Sequence, residues 1–196
     1  MEPALFIAGG FLCGSIPFSW ILGKLRGADL REHGSGNPGA TNLLRTCGKG
    51  IGVTGLLLDA FKGALPVYLV LHQGSSYSWL PAAVALASVL GHVFMPWFGF
   101  RGGKGVATAL GALLVLAPLP VLCALGLFLL LVLLFRMISL GSVLGGISLP
   151  LMGFIFNEHV YTRVVLLILA ASIILTHRSN IGRIVRGQER KLGEKK

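Results

Sequence analysis

Long apolar runs separated by short polar breaks set the pattern of this chain. Residues 4–22, 51–71, 80–98, 138–156 and 160–176 each approach the ~20 apolar positions that a helix needs to cross a hydrocarbon core. The stretch 106–135 is longer: its 30 residues at ~1.5 Å each would reach roughly 45 Å, well beyond a core of about 30 Å. Pro118 and Pro120 lie inside it and predict a split into two helices, the first of them short. The pattern therefore predicts an all-α integral membrane protein with seven transmembrane helices, in a single domain spanning residues 1–196. A short fourth helix would bring its amino end, beside Lys104, to depth within the protein. There its N–H groups and positive dipole end could face an anion.

Composition agrees with the pattern. Of 196 residues, 54% are hydrophobic and 12% charged, and the mean hydropathy is +0.81, far too apolar for a soluble domain of this size. A net charge of +10 raises the question of nucleic acid, and charge placement answers it. Every Lys and Arg except Lys62, inside a span, and Arg163, in an outer turn, falls on one side of the predicted helices. That is the positive-inside distribution, and no nucleic-acid partner is expected. Only Glu2 precedes the first span, so the amino terminus is expected outside and the carboxyl terminus in the cytoplasm. No basic segment precedes the first apolar run, so no cleaved signal peptide is read there. Cys13, Cys47 and Cys123 form no CxxC pair and read as small buried hydrophobes. Tyr77 and Trp79 border the outer turn 73–78 as interfacial anchors.

The chemistry sits in the polar breaks. Residues 34–45 gather Gly34, Ser35, Gly36, Asn37, Pro38, Gly39, Thr41, Asn42 and Arg45 between two spans. Glycines permit tight turns in which successive N–H groups converge on one anion, so this stretch reads as a phosphate cradle. Its GxGxxG spacing is not a dinucleotide site, because it follows a membrane helix and a basic loop in place of a strand. A second polar stretch, Arg101-Gly102-Gly103-Lys104-Gly105, follows His92 and the third span. It is not a nucleotide P-loop, since Phe98 takes the first glycine position and Gly105 follows the lysine. Glycine-rich backbone beside a cation still suits a bound phosphate. The third stretch is His177-Arg178-Ser179-Asn180. All three belong to the predicted cytoplasmic face and are expected to converge.

Inside the spans, Asp59 and Lys62 share a helix face at i, i+3, as a structural ion pair or a substrate contact. Ser142 admits a bond to its i−4 carbonyl or a ligand contact. His92 reads as a hydrogen-bonded packing residue ahead of a base, and Asp29 and Glu32 as solvated loop charges. No catalytic triad stands out, which favours chemistry that begins from an activated substrate; an acyl donor with a good leaving group would need positioning and charge stabilisation more than a strong nucleophile.

Gly14-Ser15-Ile16-Pro17 with residues 34–42, then Gly91-His92 through Gly102-Gly103-Lys104-Gly105, then His177-Arg178-Ser179-Asn180-Ile181 with Arg183, resemble the PlsY family of acyl-phosphate:glycerol-3-phosphate acyltransferases. The likeness covers essentially the whole chain, in order. It implies transfer of a fatty acyl group from acyl phosphate to the sn-1 hydroxyl of glycerol 3-phosphate, giving lysophosphatidic acid and phosphate. It also implies seven helices in the bacterial inner membrane, a cytoplasmic active site, and acyl phosphate in place of acyl-CoA or acyl carrier protein. By position, Ser35 and Arg45 match essential residues of the first motif, Gly102 and Gly103 near Lys104 match the glycerol-phosphate site, and His177 and Asn180 match the third.

The resulting expectation assigns catalysis to Ser35, Arg45, Lys104, His177 and Asn180, and substrate binding to Gly36, Asn37, Thr41, Asn42, Gly102, Gly103, Ser142 and Lys62. No metal and no cofactor is expected, and the chain is expected to work as a monomer among membrane lipid. The glycerol hydroxyl would attack directly, passing its proton to a bound phosphate. A transporter of organic phosphates shares the basic pocket and is the competing class. Against it, no inverted repeat is apparent and the polar sites cluster on one face.

Overall fold

The computed structural model describes residues 3–74 and 76–194. Glu2, used to orient the amino terminus, lies outside the described residues. Among these, all regular structure is helical: α1 Pro3–Ser15, α2 Phe18–Leu25, α3 Ala40–Cys47, α4 Lys49–His72, α5 Leu80–Val93, α6 Val106–Leu116, α7 Pro118–Phe135, α8 Ile138–Ile155, α9 Val160–Thr176 and α10 Arg178–Val185, with a 3-10 turn at Pro96–Phe98.

Among the described residues five stretches are long and apolar enough to cross a membrane: Pro3–Leu25, Lys49–His72, Leu80–Phe98, Pro118–Phe135 and Ile138–Ile155. The pair α9 and α10, bent by 61°, makes a sixth when taken together as one broken span. The expected division of residues 106–135 occurs at Ala117, just before Pro118, leaving α6 with 11 residues, roughly 16 Å of helix. The first expected span is interrupted at Ile16 and Pro17, because proline removes a backbone donor there. Residues 40–47, expected within a loop, form α3. Their polar residues hide a helix whose apolar members, Leu43 above all, pack onto α4.

Packing divides the chain into two compact units, the first ending at Leu116 and the second starting at Ala117. In the first, α1 lies on α5 and α4 on α6, each seam made by small residues. A Cβ on Gly14 would overlap the backbone of Ser88, and one on Gly111 that of Ala60, so these helices touch main chain to main chain. Val67, Val70, Leu80, Val84, Ala85 and Ala112 close the core around them. Pro66 inside α4 withholds the N–H that the Lys62 carbonyl would receive, and the Cys13 thiol donates to that carbonyl at 3.4 Å. Cys13 is thus a donor as well as a filler. In the second unit α8 packs between α7 and α9, and Ser142 Oγ–H donates to the Ile138 carbonyl at 2.9 Å, its own i−4 neighbour.

Candidate active site

Within the first unit, Asp29 organises the approach to residues 34–45. Its carboxylate, 5% exposed, accepts from Trp20 Nε1 at 3.0 Å, from Arg31 N, Nε and Nη2 at 3.0, 3.1 and 2.8 Å, and pairs with Lys24 Nζ at 2.9 Å. The Arg31 hydrogen bonds, outweighing burial, hold the Asp29 carboxyl far below the usual range, and Asp29 raises Arg31 in turn. The expectation of a solvated Asp29 is corrected: Trp20, Arg31 and Lys24 enclose it. Arg31 also stacks over Phe98 at 4.8 Å and Trp20 at 5.4 Å, tying this loop to the 3-10 turn.

Gly34 and Gly36 adopt φ of 64° and 72°, the left-handed turns that only glycine enters freely. Asn42, 2% exposed on α3, closes these turns from below. Its Oδ1 accepts Ser35 N–H at 2.8 Å, and its Nδ2 donates to the Leu30 and His33 carbonyls at 2.9 Å each. Gly36 N–H donates to the His33 carbonyl at 3.1 Å and Gly39 N–H to Asn37 Oδ1 at 3.0 Å. This changes the converging-amide picture. The N–H groups of Ser35, Gly36 and Gly39 point into the loop itself, and Ser35 is exposed at the rim. Thr41 and Arg45 stand half-buried on α3, Arg45 in its last turn.

The second stretch behaves alike. Gly102 N–H donates to the Val93 carbonyl at 2.9 Å and Gly103 N–H to the His92 carbonyl at 3.0 Å, folding the loop back on the end of α5. Lys104, half-buried, follows, and Gly105 at φ 81° turns the chain into α6. Thr108, in the first turn of α6, lies against Gly63 of α4. Lys62 next to it is 1% exposed, pairs with Asp59 Oδ1 at 2.7 Å and donates to the Ile16 carbonyl at 2.6 Å. Ser19 Oγ–H donates to Asp59 Oδ2 at 2.5 Å. The contacts of Lys62 are those of a structural pair, closing the carbonyl end of α1 at its break.

In the second unit His177 and Asn180 flank the bend between α9 and α10, 3% and 5% exposed. His177 Nδ1–H donates to the Ile173 carbonyl at 2.9 Å, which fixes the orientation of the ring. Asn180 Nδ2 donates to Glu189 Oε1 at 2.6 Å. Sequence reasoning overlooked Glu189, an acid inside a basic tail. It also accepts from Ser139 Oγ at 2.7 Å and Arg183 Nε at 2.7 Å and is 5% exposed. Burial works against its ionisation, but the Ser139, Asn180 and Arg183 donors prevail and its carboxyl lies below the usual range. Arg136 fastens the same tail through Leu192, whose N–H meets the Arg136 carbonyl at 2.6 Å.

Comparison places this geometry among known proteins. Residues 4–187 match the family model described as glycerol-3-phosphate acyltransferase. A glycerol-3-phosphate acyltransferase of Trichlorobacter lovleyi is 48% identical, with 97% of this chain and 98% of that protein covered. One from Geobacter sulfurreducens is 42% identical, covering 96% and 97%. Among solved structures, PlsY (YgiH), an integral membrane glycerol 3-phosphate acyltransferase, superposes in its glycerol 3-phosphate form with a TM-score of 0.93 at 39% identity, covering 97% of this chain and 96% of that one. Its lysophosphatidic acid form gives 0.90 at 38% identity, covering 97% and 95%. Matched along nearly its whole length, this multi-pass membrane chain belongs to the glycerol-3-phosphate acyltransferase family.

Proposed function

We propose that the protein transfers a fatty acyl group from acyl phosphate to the sn-1 hydroxyl of glycerol 3-phosphate, releasing phosphate and lysophosphatidic acid. The observation that carries this reading is the match to a solved acyltransferase with glycerol 3-phosphate and lysophosphatidic acid forms. The whole chain acts as one acyltransferase, a monomer with seven spans in the bacterial inner membrane, its amino terminus outside and its active site at the cytoplasmic face. Arg45 and Lys104 hold phosphate charge, Ser35 contacts substrate at the rim of its loop, and Gly36, Asn37, Thr41, Gly102 and Gly103 shape the binding surface. His177 and Asn180 orient the acceptor.

A phosphate leaving group held by cations needs no protein nucleophile, so the glycerol hydroxyl attacks the acyl carbon directly. The carbon–oxygen bond to phosphate breaks as the ester bond forms, and the hydroxyl proton passes to a bound phosphate. Incubating the purified protein with acyl phosphate and labelled glycerol 3-phosphate should yield labelled lysophosphatidic acid. Uptake of label into vesicles without product would replace the enzyme with a carrier, and a trapped acyl-Ser35 would replace direct attack with a two-step route.

A further inference from the structure

We propose that His92 is a positioning residue for Lys104, its imidazole forming the seat of the Gly102-Gly103 turn. The inference rests on the acyltransferase reading for its effect on substrate, and on geometry for the rest. His92 lies in the last turn of α5 and is 4% exposed. Its carbonyl accepts Gly103 N–H at 3.0 Å, while the Val93 carbonyl accepts Gly102 N–H at 2.9 Å. Its ring comes round to the same residue: a Cβ built on Gly103 would fall on Nε2. Gly103 is therefore held by one histidine through both backbone and ring, which explains why no side chain fits there.

The opposite edge of the ring looks toward Asp59 without a hydrogen bond to it. Nδ1 faces Asp59 Oδ1 at 4.0 Å, and Asp59 is locked by Ser19 Oγ at 2.5 Å and by Lys62 Nζ at 2.7 Å. Lys62 in turn holds the Ile16 carbonyl at the break between α1 and α2. Behind the ring thus lies a buried polar cluster built from α2, α4 and the break after α1. Lys104 is the residue after Gly103, and Gly105 then commits the chain to α6, so movement of the ring shifts Lys104 within one peptide unit. A misplaced phosphate-binding cation weakens substrate capture, because positional errors near 1 Å are costly, up to about 100-fold.

His92→Ala, His92→Gln, Gly103→Ala and the double variant His92→Ala/Gly103→Ala separate positioning from other roles. Glutamine places an amide near the Nε2 position and should keep the KM for glycerol 3-phosphate within about threefold of wild type, whereas alanine should raise it about tenfold, with a smaller change in kcat. Gly103→Ala should raise KM similarly, and the double variant should be no worse than either single, because the methyl then enters space left by the ring. Hydrogen exchange across residues 99–105 should quicken in His92→Ala and not in His92→Gln. A collapse of kcat in His92→Gln at unchanged KM would make His92 an acid or base and overturn the proposal, as would independent, multiplying losses in the double variant. If wild type makes no lysophosphatidic acid, the acyltransferase reading fails, and the exchange comparison still decides the seat. If His92→Ala does not fold, His92→Gln against Gly103→Ala carries the test: rapid exchange in His92→Gln contradicts it.

Discussion

Single side chains in this protein act by closing loops. Asn42 serves three backbone groups at once, so Asn42→Ala would leave a donor and two carbonyls to find new partners. We expect a stability loss of about 1–3 kcal/mol, read by thermal unfolding in detergent, with faster proteolysis of residues 28–39. Glu189 gives a pH signature. Its folded-state carboxyl lies below the ordinary value, so its contribution is fully present above that ordinary value and disappears as pH falls through the lower folded one. Proteolysis of the tail at Arg190 and Lys191 should therefore accelerate only in acid, and Glu189→Gln should be cleaved readily at neutral pH as well. The candidates Ser35, Arg45, Lys104, His177 and Asn180 were legible as polar groups beside apolar runs. Asp29 and Glu189 were not, since burial of an acid among basic residues depends on how the loop closes over it.

Helices were legible from apolar length and proline. The division before Pro118 follows from an apolar run too long for one crossing, and α4 and α8 lie within a few residues of their expected bounds. α3 escaped notice because Gly, Pro, Thr and Asn dominate its neighbourhood, and its stability comes from packing on α4 more than from propensity. The break at Ile16 and Pro17 was hidden by continuous hydropathy, and its repair comes from a residue 46 positions away, Lys62. That pair supplies an element-scale prediction. Lys62→Met leaves Asp59 buried without its cation and should cost about 3–5 kcal/mol, while Asp59→Asn/Lys62→Met should recover a large part of the loss. Thermal unfolding of both variants checks this, and equal destabilisation would show that the pair contributes shape alone.

At the scale of the molecule, the order of motifs and apolar spacers carried the family, since three separated polar stretches in fixed sequence are hard to match by chance. The direction of the glycine-loop amides was not legible. Glycine content predicts a turn, yet only the folded loop shows that Ser35, Gly36, Gly102 and Gly103 spend their N–H groups on the protein. Charge stabilisation of the leaving phosphate by Arg45 and Lys104 is the central proposal. Its most direct measurement runs purified protein with labelled glycerol 3-phosphate and either acyl phosphate or acyl-CoA, following lysophosphatidic acid and phosphate together. The expected result is one phosphate released per lysophosphatidic acid from acyl phosphate, no product from acyl-CoA, and at least about 100-fold less product with Arg45→Ala, the scale of losing a preorganised transition-state donor. Product from acyl-CoA at a comparable rate, or an Arg45→Ala protein that retains its activity, would contradict it.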